Sequence, residues 1–244
     1  MVTMPAPRIV VTDAVSMAEA IRLYGIIPLF ATQIPGYSIE ELTPAGYLAF
    51  DGPEGIISSP WDWKVTCVQM GEFAYGKFLL GGKAAFATLD WYRELRTWRL
   101  SQAKYKPDAA GKKILEQIAA EGDITVKKVR ELLGINKSKA DALLTKLQMA
   151  CRVVTGDIQR VYRGPYLEYK GWQTASFCDP EALFDTSTLE EWLHRKETPI
   201  GKPSPMGHGL DTGHTPKQAY KLLSEHIRSL VSGITERELI RLLG

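Results

Sequence analysis

The chain has 244 residues, 45% of them hydrophobic and 24% charged, with a formal net charge of +2. That length suffices for one large domain or two small ones with a real core. So small a net charge excludes a chain-wide nucleic-acid footprint, and any such surface must be local.

Asp13 opens a helix whose apolar positions Ala14, Met17, Ala18 and Ile21 run up to Gly25. A short apolar run follows at Ile26, Ile27, Leu29 and Phe30, broken by Pro28. Residues 31–58 are dotted with Gly and Pro and predict turns with short strands. Ser59 before Pro60 has the pattern of an N-cap with proline at the first helical position, opening a helix through Trp61, Trp63, Val65 and Val68. Gly81 and Gly82 separate two β-prone runs, 73–80 and 83–89, which predicts a hairpin. Asp90 is placed as the cap of a helix through Trp91, Leu95 and Trp98. There the tryptophan spacing favours burial over a nucleobase platform.

The middle of the chain is the most informative. Residues 112–120 put Ile114, Leu115, Ile118 and Ala119 on one helical face. Ile124 and Thr125 start a second helix that Gly134 stops, and Asn136 or Ser138 caps a third. After it come an extended run at 152–155, a turn signal at Gly156 and Asp157, and β-rich runs at 158–162 and 173–178. Helices followed by such strands are the winged form of the helix-turn-helix. Its leftover surface is basic: Lys127, Lys128, Arg130, Asn136, Lys137, Ser138, Lys139, Thr145 and Lys146, with Arg152, Arg160 and Arg163 on the wing. Lysines beside Asn and Ser at a third helix's start suit phosphates and base edges, and wing arginines suit phosphates alongside. Winged helices also serve as protein-interaction modules, so both readings stay open.

Residues 197–216 are too rich in Gly and Pro for regular structure and read as a linker. His208 and His214 flank Asp211 there, and a Gly-rich loop is the preferred reading over a metal site. The tail echoes the middle: ITERELIRLLG at 234–244 matches ITVKKVRELLG at 124–134. The chain thus divides into an N-terminal α+β segment with a hairpin (1–104), a winged helix-turn-helix (108–186), a helix and linker (187–216), and a C-terminal helical pair (217–244). The fold class is α+β. Cys67, Cys151 and Cys178 form no zinc-type cluster and read as buried or free thiols in a reducing compartment. The first residues lack a signal-peptide apolar stretch and no run has bilayer-spanning length, so cytoplasm is the expected location.

Several stretches resemble small proteins related to the AlkZ/YcaQ-type DNA glycosylases. They are Ile27-Pro28-Leu29-Phe30, Pro60-Trp61-Asp62-Trp63, Ala74-Tyr75-Gly76-Lys77-Phe78, Leu147-Gln148-Met149, Gly171-Trp172-Gln173 and Cys178-Asp179-Pro180-Glu181. The resemblance implies tandem winged helices acting on DNA. The enzymes excise alkylated bases or unhook crosslinks with a Gln-x-Asp or Gln-x-Gln motif. This sequence contains neither form; its nearest match, Gln148-Met149-Ala150, ends in alanine. Asp62, Glu72 and Asp90 are the carboxylates near the aromatic-rich half, and spacing gives none of them a role. Walker-type, GxSxG and HExxH motifs are also absent, and no cofactor or metal is expected. Three functions stand: a DNA-binding relative without the standard catalytic motif, an active glycosylase with a non-standard carboxylate, and a non-catalytic interaction scaffold. The partner expected is DNA.

Overall fold

The computed structural model describes residues 9–48, 56–184 and 210–244. Among them are ten α-helices and two three-stranded antiparallel sheets.

Helix α1 (Ala14–Tyr24) starts where Asp13 Oδ1 accepts the Ser16 amide at 2.7 Å, satisfying one orphan donor of the first turn. It stops at Gly25, φ 69°, where a Cβ would fall 2.3 Å from Trp91. Both the left-handed backbone and the close approach require glycine there. Strand β1 (Ile26–Pro28) then pairs with β3 (Lys83–Thr88), which pairs in turn with β2 (Phe73–Leu79). The hairpin turn falls at Gly81 and Gly82, both with positive φ, as their sequence predicts.

Between β1 and β2 the short strands predicted at 31–58 do not form in the described part. Ser38 instead caps a one-turn helix, α2 (Ile39–Leu42), by accepting the Glu41 amide at 3.2 Å. Helix α3 (Pro60–Gln69) begins after Ser59, whose hydroxyl donates to Ile56 O rather than capping. Helix α4 (Leu89–Leu100) has Thr88 at its N-cap, so Asp90 lies in the first turn and does not cap.

Helices α5 (Ala109–Glu121), α6 (Val126–Leu133) and α7 (Lys137–Met149) pack around Ile114, Ile118, Val129, Ala140, Leu144 and Leu147. Thr125 and Asn136 cap α6 and α7 by accepting the Lys128 and Lys139 amides. A strand missed by the pattern, β4 (Asp123–Thr125), precedes α6. A long hairpin follows: β5 (Val154–Arg163) and β6 (Glu168–Cys178), in sheet order β4-β6-β5. Gly156 and Asp157 are not its turn. They sit inside β5 at a register shift, and a Cβ on Gly156 would come within 2.9 Å of Cys178 Sγ. The actual turn is Gly164 to Leu167.

Helix α8 (Pro180–Phe184) ends that unit, and α9 (Pro216–Leu230) and α10 (Glu236–Leu243) close the described chain. These last two helices bury Leu223, Ile227, Leu239 and Leu242 in the core of the N-terminal half. Trp91 and Trp98 are half-buried, as their spacing predicts, and both are covered from the tail. Trp91 stacks on His226 at 3.8 Å between centroids, and Trp98 lies 4.6 Å from Tyr220. Residues 197–209 of the predicted linker, with His208, and Trp192 lie outside the described residues. His214 Nδ1 lies 2.7 Å from Glu94 Oε1, and no metal-type cluster occurs among the described residues.

His226 makes the tail's attachment pH-sensitive. Its Nε2 bonds Tyr24 O at 2.8 Å, and burial holds its pKa below the ordinary histidine value against the opposing pull of that carbonyl. The unfolded chain therefore binds more protons between the folded value and about pH 6.5. This contribution is complete above pH 6.5 and is lost as pH falls toward the folded value. In urea melts, His226→Gln should lose less stability than wild type between pH 7.5 and 5.5. Parallel curves would count against the assignment.

Candidate nucleic-acid interface

The cap at Asn136 spends that side chain on the backbone and leaves Lys137, Ser138 and Lys139 exposed on the first turn of α7. The remaining cations divide by what they touch. Lys128 pairs with Glu121 at 3.2 Å, and Lys146 pairs with Asp108, the cap of α5, at 2.8 Å. Lys127 lies 3.9 Å from Glu131, an exposed contact of small energy. Arg130, Lys137 and Lys139 have no carboxylate partner among the described residues.

Lys127, Arg130 and Lys137 form one lip of a cleft of about 820 Å³ between the helical unit and the N-terminal half. Trp61 and Lys64 of α3 and Tyr75 to Lys77 of β2 form the facing wall. Gln173 to Ala175 and Phe177 of β6 contribute as well. Gln148, 2% exposed, fixes one side: Oε1 accepts the Lys77 amide at 2.9 Å and Nε2 donates to Leu144 O at 3.2 Å. Thr145 and Lys146 face a separate shallow hollow with Lys104 and Tyr105, and Arg152 is half-buried after α7.

The wall around Trp61 is a tight polar cluster. Asp62, 4% exposed, receives two 2.7 Å bonds from Arg160, so this predicted phosphate contact is instead an internal ion pair joining the hairpin to α3. Lys64 has no carboxylate hydrogen-bonded to it among the described residues. Its Nζ donates to Trp61 O at 2.6 Å and to Gln173 Oε1, and sits 3.3 Å from the Trp61 ring centroid. Burial pushes the Lys64 pKa down to about 7; Asp62 opposes that and Arg160 adds to it. The indole face attracts the protonated form through its quadrupole, which is weaker than a carboxylate partner and leaves the pKa low. Neither Lys64 nor Gln173 is among the site residues that the sequence suggests, although Gly171-Trp172-Gln173 carries part of the family resemblance. The available signal was a lysine between Trp63 and Val65, where the helix needs apolar side chains.

None of the three candidate carboxylates lines the cleft: Asp62 is held by Arg160, Glu72 pairs with Arg22 at 2.6 Å, and Asp90 is exposed, 4.0 Å from Arg93. Asp141 is the carboxylate on the cleft's lining. All three thiols are buried and free, and burial pushes Cys67 and Cys178 up to about 12, so they stay protonated near neutral pH.

The AlkZ related family model matches residues 11–199, most of the chain. The chain belongs to the AlkZ-related family. No curated protein and no solved structure has significant similarity to this AlkZ-related protein. The matched span takes in both walls of the cleft, from Trp61 through Phe177. No described helix is long and apolar enough to cross a membrane.

Proposed function

We propose that residues 108–186 form a winged helix that binds duplex DNA, with α7 as recognition helix and the β5–β6 hairpin as wing. The convergence of Lys127, Arg130 and Lys137, from two helices, on one lip of the cleft carries this reading. The order helix, strand, two helices and paired strands supports it, as does membership of a family related to glycosylases that act on damaged DNA. Lys139 and Ser138 extend the contact surface, while Arg163 reaches phosphates from the wing. Lys128, Lys146 and Arg160 have acidic partners and add little.

Binding is favoured over base excision because the sequence carries neither Gln-x-Asp nor Gln-x-Gln, and Asp62, against the Trp61 wall, is 4% exposed and ion-paired with Arg160. A general base must meet the water that it activates, and burial keeps Asp62 from it. Fluorescence anisotropy with a labelled duplex at low salt tests the proposal. Reversing Lys127, Arg130 and Lys137 together to glutamate should weaken binding by roughly 100-fold or more and flatten the salt dependence by about 3. Reversing Lys128 and Lys146 should change much less. Equal affinity of wild type and the triple variant would sink the proposal.

A further inference from the structure

The β5–β6 hairpin carries an aromatic fin that the cleft does not use. Pairing joins Arg160 to Gln173 and Tyr162 to Tyr169, so Val161 alone faces Lys170, Gly171 and Trp172. The extra residues bulge outward at Gly171, φ 78°, whose carbonyl accepts Trp61 Nε1 at 3.0 Å. That bond fixes the bulge and leaves Trp172 standing in solvent, 60% exposed. Arg163, with no carboxylate partner among the described residues, lies 5.2 Å from the Trp172 ring centroid. Hollows of about 360 and 400 Å³ border the ring, the first walled by Trp61 and Ile56, and Lys170 lines both. Trp61 belongs to this hollow and to the cleft, so the two surfaces are continuous.

We propose that Trp172 is a stacking platform for an unpaired nucleobase, making the preferred ligand DNA with a single-stranded or extrahelical base beside duplex. The proposal rests on the duplex-binding reading above. An indole stacks on any base whatever its hydrogen-bonding edge, and the platform therefore selects for unpaired structure rather than sequence. Arg163 at the rim meets a phosphate beside the stacked base, while Lys170 is paired with Glu168 at 3.0 Å and adds little. The fixed bulge keeps the ring from collapsing onto the strand, so little conformational freedom is lost on binding.

The test compares anisotropy titrations of three ligands: a blunt duplex, the same duplex with a short single-stranded overhang, and the single strand alone. Wild type should prefer the overhang substrate about tenfold, the size of one good base–aromatic stack. Trp172→Ala should abolish that preference and change blunt-duplex affinity much less, by no more than the loss of the Arg163 contact that the ring supports; Trp172→Phe should keep part of the preference. A 2-aminopurine in the overhang should be quenched by wild type and not by Trp172→Ala. Equal binding of blunt and overhang duplexes, or a preference surviving in Trp172→Ala, overturns the platform and leaves the duplex reading intact. Trp172-dependent binding of the single strand without the duplex supports the platform and overturns the duplex reading. Binding of none of the three overturns both readings.

Discussion

Replacing Arg99 with alanine should destabilise the protein by about 3–5 kcal/mol, the largest single-site effect expected in this fold. Arg99 lies on α4 and is completely buried. Its Nε and Nη2 donate to Leu243 O at 2.9 and 2.7 Å, and its Nη1 donates to Met149 O at 2.8 Å. Leu243 and Met149 are the last residues of α10 and α7. One guanidinium thus satisfies orphan carbonyls at the negative ends of two helices, which is how a buried cation is tolerated without a carboxylate. Alanine strands both carbonyls and opens a cavity. Arg99→Met fills most of the space yet should recover only the packing share, and Arg99→Lys lacks the planar fork that reaches both helices. Thermal melts followed by circular dichroism should drop by about 10 °C for Arg99→Ala. A loss under about 1 kcal/mol would mean that the guanidinium is not what joins α4, α7 and α10.

The second large effect belongs to Asp62. Asp62→Ala should cost about 2–3 kcal/mol, because it leaves Arg160 facing a buried wall without its bidentate partner. The figure is held at the lower end because the Arg160 side chain is 26% exposed and water recovers part of the loss. Arg160→Ala strands a more deeply buried carboxylate and should cost at least as much. Asp62→Leu with Arg160→Met should cost less than the sum of the single substitutions, since it leaves no orphan charge. The pair spans 98 positions and ties the hairpin to α3, so hydrogen exchange in β5 and β6 should quicken selectively in Asp62→Ala. Unchanged protection in those strands would show that the ion pair does not brace the hairpin.

The sequence made local instructions legible and long-range ones not. Asp13, Thr125 and Asn136 announce helix starts through side chains that reach an amide three residues on, and Gly25 and Gly134 mark helix ends, so α1, α6 and α7 were readable. The pair Gly81 and Gly82 likewise sets a turn by backbone freedom alone. Gly156 misled because it is glycine for the sake of Cys178 across the strand pair, not for a turn. Strand β4 is three residues long and exists through its pairing with β6, which no local period encodes. The same holds at the site. Exposed lysines on α6 and α7 follow from helical spacing, whereas the diversion of Arg160 to Asp62 and the enclosure of Lys64 by Gln173 depend on chain crossings about a hundred positions apart. Trp172 is exposed although a tryptophan is ordinarily buried, because a register slip at Gly171 turned it outward.

The position of α9 and α10 has a consequence for biosynthesis. The N-terminal half needs two helices that are made well after it: His226 and Tyr220 cover Trp91 and Trp98, and Leu80 donates its amide to Leu242 O at 3.2 Å. A ribosome releasing this chain holds out an uncovered aromatic face until the tail emerges. The three-helix unit between them, with its own core and short-range contacts, can condense in the meantime. A nascent chain that condenses from its middle outward should depend on holding chaperones for as long as its tail takes to appear.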